Sequence, residues 1–394
     1  MATRPPDSRR GSLPQLSCAD QAADTARGTG QIVLVLQGGG ALGAYQVGVY
    51  EAMAQAGLEP DWVIGTSIGA INAALIVGNP PSERLARLNK FWETVTLRGL
   101  AQLWPAAWPS APVHAATVAS SWTTWQTITG GLPGFFAPNP PAWINPYLPL
   151  PIGQLGYYST ADLRATLTPL IDLDLINQGH PRLSVGAVNV RTGVMRYFDS
   201  ARDTLSLDPI LASGALPPAF PPVQVGEDHY WDGGIYSNTP VEAVFDDHPR
   251  RNSLIFSVHL WSPQGPEPTT MDEVAERQKD IQYSSRIDSH IARQAQLHRL
   301  RHVVRALTDR LPDGLLALPE LQALADHGCG TVMHLIRLMA PRLAHEDRNK
   351  DIDFAADHIA ARREAGFTDM RRALDGQAWL NPVDPMAGLI VHDN

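Results

Sequence analysis

The sequence is poor in cysteine and has no surplus of basic side chains. Its 394 residues include two cysteines, Cys18 and Cys329, which lie far apart along the chain. Two such residues make neither a disulfide framework nor a zinc site, so a reducing compartment is favoured. The net charge is −9 and the pI is near 5.8, which leaves no excess of Lys and Arg to bind phosphates. We therefore expect no nucleic-acid partner.

Long apolar runs are also missing. The run from Ala70 to Val77 is far shorter than the roughly 20 apolar residues that cross a bilayer. Residues 1–30 lack the apolar core of an export signal, and their low hydrophobicity predicts a disordered N-terminal tail. Together these absences predict a cytoplasmic protein.

Short apolar runs alternate with helical patterns in the first part of the chain. Gln31–Leu36 is a continuous β-branched run, typical of a strand buried on both faces, and Asp61–Ile64 is a second predicted strand. Helical patterns over Leu42–Ala56 and Ala70–Val77 follow them. The order strand, helix, strand, helix predicts an α/β fold with a central, mainly parallel sheet.

Later segments differ in character. Further strands are predicted at Leu183–Val190, Met195–Asp199, Leu254–Leu260 and Val332–Leu338, and helical patterns at 271–311 and Phe354–Leu374. Residues 103–151 form an insertion rich in Pro and Trp (Trp104, Trp108, Trp122, Trp125, Trp143), which would be either a lid or a surface excursion packed on its own aromatic side chains. We divide the chain into a tail at 1–30, a catalytic domain at 31–270 and a helical extension at 271–394 packed on that domain.

A glycine-rich loop, Gly38-Gly39-Gly40-Ala41-Leu42-Gly43, joins the first strand to the first helix. Successive glycine N–H groups and a helix N-terminus point donors at a negative oxygen, which is what an oxyanion hole requires. The G-x-G-x-x-G spacing also fits the dinucleotide-binding loop of an oxidoreductase. That alternative needs an acid at the end of the second strand, whereas the nearest acids, Glu59 and Asp61, lie before the strand and at its first residue.

A second motif, Gly65-Thr66-Ser67-Ile68-Gly69, follows the second strand. Its G-x-S-x-G pattern between a strand and a helix predicts a sharp turn that exposes the Ser67 hydroxyl as a nucleophile, with the flanking glycines relieving clashes. One alternative is a serine that only caps the helix. Another is an α/β-hydrolase with a later Asp and His, which the thirteen histidines keep open.

A third segment contains Asp232-Gly233-Gly234, followed by Asn238 and Pro240. In isolation, an Asp before two glycines is typical of a surface turn. Here it comes after Ser213-Gly214-Ala215-Leu216-Pro217-Pro218-Ala219-Phe220-Pro221. In their order across residues 31–260, the blocks G-G-G-x-x-G, G-x-S-x-G, S-G-A-x-P-x-x-F-P and D-G-G with N-x-P resemble the patatin-like phospholipase family.

The resemblance implies a patatin-like three-layer α/β/α sandwich that hydrolyses lipid acyl esters with neither a metal nor another cofactor. It implies a Ser–Asp dyad without histidine, in which Ser67 is the nucleophile and Asp232 the base. The same resemblance makes Gly38, Gly39 and Gly40 the oxyanion-hole loop. Because aspartate is a weak base, we expect the site to be partly desolvated, which raises the pKa of Asp232.

Substrate and partners stay open at this stage. The substrate would be a lipid or another ester such as a hydroxyacid oligomer, and a catalytically weak scaffold is a further alternative. Leu42 stands where the family loop commonly has Arg or Lys, which puts in doubt any binding role of that charge. The segment after Met271 resembles the C-terminal extension of a bacterial branch of the family. A basic stretch in it would face solvent, a second copy of the chain or, transiently, a membrane surface; it comprises Arg286, Arg293, Arg299, Arg301 and Arg305 with His290, His298 and His302.

Overall fold

A nine-stranded sheet forms the centre of the fold. The computed structural model describes residues 18–97, 125–145, 147, 149–284, 287–343 and 346–393. The strands are β1 (Gln31–Leu36), β2 (Trp62–Thr66), β3 (Ala137–Pro138), β4 (Tyr158–Ser159), β5 (Arg182–Asn189), β6 (Met195–Asp199), β7 (Val223–Val225), β8 (Asp228–Asp232), β9 (Ser253–His259), β10 (Met333–Met339) and β11 (Leu389–Asp393). The central order is β11-β10-β9-β1-β2-β5-β8-β7, with β6 also paired to β5, whereas β3 and β4 pair apart from it.

The strands from β11 to β5 are parallel to their neighbours, and β6, β7 and β8 pair antiparallel. The helices are α1 (Cys18–Thr29), α2 (Ala44–Gln55), α3 (Ile68–Val77), α4 (Pro81–Val95), α5 (Pro140–Ile144), α6 (Ala161–Leu167), α7 (Leu173–Asn177), α8 (Leu207–Ser213), α9 (Glu242–Phe245), α10 (Met271–Ser284), α11 (Ile287–Thr308), α12 (Asp313–Leu316), α13 (Pro319–Ala325) and α14 (Ala356–Gly376). The predicted α/β fold with a central, mostly parallel sheet is confirmed.

Side chains of β1 supply both faces of the sheet with core. Ile32, Leu34 and Leu36 belong to one apolar cluster, and Val33 and Val35 belong to a second cluster on the other face. The alternation follows from the two-residue period of a strand, and burial on both faces explains why the sequence of β1 is continuously apolar. The first cluster contains residues of α2, α3, α4 and α14, and the second contains residues of α9 and α11. The sheet is therefore the middle of three layers.

The C-terminal extension is built into this sheet. It contains the predicted helices, and the strand predicted at 332–338 is β10. Together with β11, which was not predicted, β10 continues the central sheet beyond β9, so the description of 271–394 as helical was incomplete. Helix α14 crosses α2 at backbone contact. A Cβ on Gly48 would lie 1.8 Å from the Arg363 carbonyl oxygen, and one on Gly366 would lie 2.0 Å from the Tyr45 carbonyl oxygen. Two glycines therefore permit the close approach of these helices.

The N-terminal segment differs from its prediction. Residues 18–29 form α1, and Ala23 and Ala26 are buried against the first core cluster, so the prediction of disorder is wrong for this part. The contact surface consists of small alanines, which explains why no apolar pattern was visible in the sequence. Residues 1–17 lie outside the described part. Among the described residues, no helix combines the length and the apolar character needed to cross a membrane.

Candidate active site

The two sequence motifs lie side by side at the carboxyl ends of β1 and β2. These strands are parallel neighbours, with Leu36 opposite Gly65, so the loops that follow them leave the sheet at the same edge. The third motif arrives on β8, where Asp232 pairs with Ala187 of β5. Residue Gly186 pairs with Thr66 at the end of β2. The sheet register therefore brings all three predicted segments together, as expected for a site at the carboxyl edge of a parallel sheet.

Ser67 occupies a strained turn between β2 and α3. Its φ of 57° and ψ of −129° lie in a region that residues other than glycine rarely adopt. A Cβ on Gly65 would lie 2.2 Å from the Gly69 carbonyl oxygen, and one on Gly69 would lie 2.2 Å from the Leu36 carbonyl oxygen. Both glycines are thus required by the tight turn. The Ser67 N–H donates to Ser213 Oγ at 3.1 Å, which helps to hold the conformation.

Asp232 is a buried carboxylate that faces the serine. It is 1% exposed, which excludes the surface turn that its sequence suggests in isolation. Ser67 lines the same cavity as this carboxylate and lowers its pKa by hydrogen bonding, and Asp232 Oδ1 accepts the Gly234 N–H at 2.7 Å. Burial raises the pKa of Asp232 to about 7, against the opposing effect of these two hydrogen bonds. A Cβ on Gly233 would lie 2.6 Å from the Gly186 carbonyl oxygen, so this turn is also packed against β5.

The glycine loop is fixed at both ends. The Gly38 N–H donates to the Asn238 carbonyl oxygen at 3.2 Å. The Gly38 carbonyl oxygen accepts from Trp261 Nε1 at 2.8 Å and from Asn238 Nδ2 at 3.1 Å. The Ala41 N–H donates to the Asp351 carbonyl oxygen at 2.8 Å. The Gly38 amide is therefore already engaged, although the sequence suggests it as an oxyanion donor.

Two amide groups in the middle of the loop differ from that of Gly38. In the part of the chain that the structure describes, the N–H groups of Gly39 and Gly40 have no hydrogen-bond acceptor. The loop passes close to the serine, because a Cβ on Gly38 would lie 2.8 Å from Ser67 Cβ. Gly43 plays a packing role, since a Cβ there would lie 2.7 Å from Ile68 Cγ1 at the start of α3. Of the predicted loop residues, Gly39 and Gly40 thus have N–H groups without an acceptor in the described ranges, and both line the same cavity as Ser67.

A cavity of about 240 Å³ opens onto Ser67 and Asp232. Its lining is mainly apolar and aromatic, and includes Ile68, Ile71, Ile128, Phe135, Phe136, Tyr158, Leu216, Phe220, Trp261, Tyr283, Ile352 and Phe354. The aromatic rings contact one another, with ring centroids of Phe136 and Phe220 5.4 Å apart. None of the described residues that line this cavity is a histidine. The α/β-hydrolase alternative, which requires a histidine beside the serine, therefore has no support here.

Several residues of the site belong to no recognisable sequence motif. Gln37 is buried at the end of β1, where its Oε1 accepts from the Trp261 N–H at 3.0 Å and its Nε2 donates to Thr239 Oγ1 at 2.6 Å. A polar residue directly after an apolar strand was the only available signal. Tyr283 and Phe354 reach the cavity from the C-terminal extension. Their distance along the chain from the motifs explains why sequence reasoning missed them.

The acids that the dinucleotide alternative considered have structural partners. Asp61 Oδ2 accepts the Ile32 N–H at 2.8 Å, and Glu59 is paired with Arg84. Within the described ranges, no group of three or more His, Cys, Asp or Glu side chains could hold a metal ion. Leu42 is buried and lines a separate cavity of about 510 Å³, together with Tyr45 and Leu260. The position that is commonly basic therefore does not line the Ser67 cavity.

Two other predicted features are only partly described. In the Trp/Pro-rich insertion, Phe135 and Phe136 line the cavity and Trp125 and Trp143 are exposed, whereas 104, 108 and 122 lie outside the described residues. In the basic stretch, the arginines at 299 and 305 face solvent, but the histidines at 298 and 302 are buried. Residue 286 is outside the described part.

The chain matches two family models. One, described as Patatin-like phospholipase, matches residues 34–245, and the other, described as Patatin phospholipase, matches residues 281–386. No curated protein matches the chain. Among solved structures, VipD from Legionella pneumophila is similar, with 14% sequence identity and a TM-score of 0.35, over 88% of this chain and 67% of its own. Because the first model spans more than half of the sequence, the chain belongs to the patatin-like phospholipase family, which implies a lipid ester hydrolase.

Proposed function

We propose that the protein is a serine hydrolase of lipid carboxylic esters that uses Ser67 as nucleophile and Asp232 as general base. Ser67 Oγ attacks the ester carbonyl carbon while its proton passes to Asp232. The tetrahedral intermediate expels the alcohol, which takes the proton from Asp232, and an acyl-serine remains. Water then attacks the acyl-serine, gives a proton to Asp232 and releases the carboxylic acid. The proton finally returns to Ser67.

The position of Ser67 beside the buried carboxylate of Asp232, in one cavity, carries this proposal. A general base must lie within hydrogen-bond reach of the proton that it accepts, and its pKa should lie near the working pH. Burial supplies the second condition, because it raises the pKa of Asp232 to about 7. A carboxyl with an ordinary pKa would be a weaker proton acceptor by roughly three orders of magnitude in basicity.

The oxyanion is assigned to the amides of Gly39 and Gly40. Both N–H groups lack an acceptor within the described residues, and the loop that carries them passes against Ser67. Loss of one donor from such a hole typically costs roughly 10²–10³ in rate. This narrows the three-glycine prediction to two donors, since the Gly38 amide is bound to Asn238.

The apolar cavity favours esters with an apolar acyl group. Burial of hydrocarbon against its aromatic walls contributes roughly 25 cal/mol per Å² of apolar surface. Among the described lining residues, the acids are Asp232 and Asp351. The experiment is hydrolysis of p-nitrophenyl esters from acetate to palmitate, with hydroxyacid oligomers as further substrates. We expect turnover to increase beyond acetate. A preference for the oligomers alone would replace the lipid assignment with another ester.

Two serine variants test the nucleophile. Ser67→Ala should abolish turnover, whereas Ser82→Ala should leave it unchanged, because Ser82 is exposed in the first turn of α4. Turnover that survives in Ser67→Ala would identify a different nucleophile. A folded wild type that hydrolyses none of these esters would support the scaffold alternative.

The partner that we propose for the mouth of the site is a lipid surface with neutral or zwitterionic head groups. Residues 99–161 contain no Asp, Glu, Lys or Arg, in a chain that is 18% charged. In the described part of this stretch, Trp143, Ile144 and Tyr147 are exposed by 49%, 83% and 91%. The same segment continues into the cavity wall through Phe135 and Phe136. Exposed Trp and Tyr suit an interface between hydrocarbon and water, and a lid in this segment would open toward such a surface.

A further inference from the structure

We infer that the C-terminal extension positions the glycine loop for catalysis, through the backbone carbonyl of Asp351 and the ammonium group of Lys279. The inference rests on the proposed function, because it assigns a role in the same reaction. Neither residue belongs to a sequence motif, and both lie beyond residue 270, outside the segment that carries the motifs. The extension would thus complete the active site as well as the sheet.

The carbonyl group of Asp351 is pressed against two consecutive loop residues. It accepts the Ala41 N–H at 2.8 Å. A Cβ on Gly40 would lie 2.2 Å from the same carbonyl oxygen, and Gly40 has a φ of 55°, so this position requires glycine for both space and backbone conformation. The backbone of the loop therefore packs directly against the Asp351 carbonyl group at Gly40 and Ala41.

This contact determines where the loop amides point. Asp351 engages the Ala41 N–H, and Trp261 and Asn238 hold the Gly38 carbonyl on the other side. The peptide groups between these anchors belong to Gly39 and Gly40, whose N–H groups are the proposed oxyanion donors. If one anchor moves, the intervening peptide planes can rotate, because glycine places few limits on its own backbone.

Helix α10 holds Asp351 in place. Lys279 Nζ donates to Asp351 Oδ1 at 2.7 Å and to the Arg348 carbonyl oxygen at 2.8 Å. The adjacent Lys350 is buried and pairs with Asp280 at 2.7 Å and with Glu276 at 3.3 Å. Lys279 and Asp280 lie three and four positions after Glu276, so both are neighbours of Glu276 on the helix surface. The segment that carries Asp351 is therefore tied to α10 at two successive positions.

A positioning role has a kinetic signature. Donors to an oxyanion act mainly in the transition state, so their misalignment lowers kcat and leaves KM nearly unchanged. Replacement of a residue that only stabilises the fold would lower the thermal midpoint of unfolding, without a selective effect on kcat. A residue that contacts the substrate would instead raise KM.

The experiment compares Lys279→Met, Lys279→Arg and Asp351→Asn in the full chain. We expect Lys279→Met to lower kcat by about tenfold at constant KM, as a partial loss of an oxyanion-hole interaction. Lys279→Arg keeps a cation that can reach both acceptors and should restore most of the rate. Asp351→Asn keeps an acceptor oxygen for Lys279, so its kcat should lie between those of Lys279→Met and Lys279→Arg. Arg348→Met is the matched control, because it removes an exposed ion pair with Asp272 on α10 and leaves the Asp351 contact intact.

A ligand measurement separates positioning from general damage. A trifluoromethyl ketone, which forms a tetrahedral oxyanion with the serine, should bind Lys279→Met about tenfold more weakly. A fatty alcohol, which forms no oxyanion, should bind the wild type and the variant equally. An unchanged kcat in Lys279→Met, or an equal loss in Arg348→Met, would overturn the inference. Activity retained by Ser67→Ala would instead overturn the proposed function itself.

Discussion

Ser67 and Asp232 meet because adjacent residues of β5 pair with the strands that carry them. Gly186 pairs with Thr66, the residue before the serine, and Ala187 pairs with Asp232. β6 pairs with β5 along one edge, so β2 and β8 share the other edge. There they run in opposite directions, and their carboxyl ends meet. A slip of one residue would turn the carboxylate to the opposite face of the sheet. The register of β5 therefore decides whether the pair exists.

The pH dependence of hydrolysis should report the ionisation of Asp232. A base must be deprotonated to act, and burial raises the pKa of Asp232 to about 7. We expect kcat/KM to rise roughly tenfold per pH unit below that value and to level off above it. The profile is measured with a soluble short-chain ester, and folding is checked at each pH. A rate that stays constant down to about pH 5 would contradict an elevated pKa.

The variant Asp232→Asn should be inactive but more stable than the wild type above neutral pH. The folded carboxyl has a pKa of about 7 and the ordinary value is 3.8. Between these values the folded chain holds a proton that the unfolded chain has lost, so stability falls as pH rises through this window. At about pH 8 the variant should gain up to roughly 4 kcal/mol of unfolding free energy, whereas near pH 3.5 the gain should vanish.

Urea unfolding of both proteins at the two pH values measures this difference. Asp228→Asn is the control, because Asp228 lies on the same strand and is paired with the exposed Arg191. Substitution there should change stability little at either pH. Equal stability of Asp232→Asn and wild type at about pH 8 would mean that the carboxylate is well solvated.

The variant Gly48→Ala should destabilise the contact between α2 and α14. A Cβ at this position would lie 1.8 Å from the Arg363 carbonyl oxygen, so the helices must separate. We expect a loss of more than about 2 kcal/mol in unfolding free energy, as for an overpacked core. Gly28→Ala in α1, where a Cβ meets nothing within 4 Å, should be neutral or slightly stabilising. No difference between the two variants would show that α14 does not pack on α2 in solution.

Binding to phosphatidylcholine vesicles should depend on apolar side chains and little on salt. Replacement of both Trp143 and Ile144 with Ser should weaken vesicle binding and slow hydrolysis of long-chain esters more than of acetate. Because residues 99–161 carry no Asp, Glu, Lys or Arg, raising the salt to roughly 0.5 M should change binding little. Leu307→Ser on α11, which is also strongly exposed, serves as the control. If binding requires anionic lipid, or if Leu307→Ser weakens it to the same extent, the basic helix α11 would make the membrane contact instead.

Local sequence was sufficient for the elements around the two glycine motifs. The strands β1 and β2 and the helix α3 begin and end within a few residues of their predictions, because continuous apolar runs and glycine boundaries act over short distances. The Ser67 turn was predictable for the same reason. Gly65 contacts Gly69 within the motif, and Gly69 contacts Leu36 on the neighbouring strand β1. The pairing with Asp232 came from the family resemblance, because a lone Asp before two glycines is usually a surface turn.

The sequence by itself determined the α/β class and the chemistry available at Ser67 and the glycine loop. Only the tertiary structure decided that Asp232 is buried, that the Gly38 amide is engaged, and that Asp351 lies against the loop. The reason is that burial and hydrogen-bond partners depend on segments up to about 300 residues away, brought close by the sheet register and by the packing of α14 on α2.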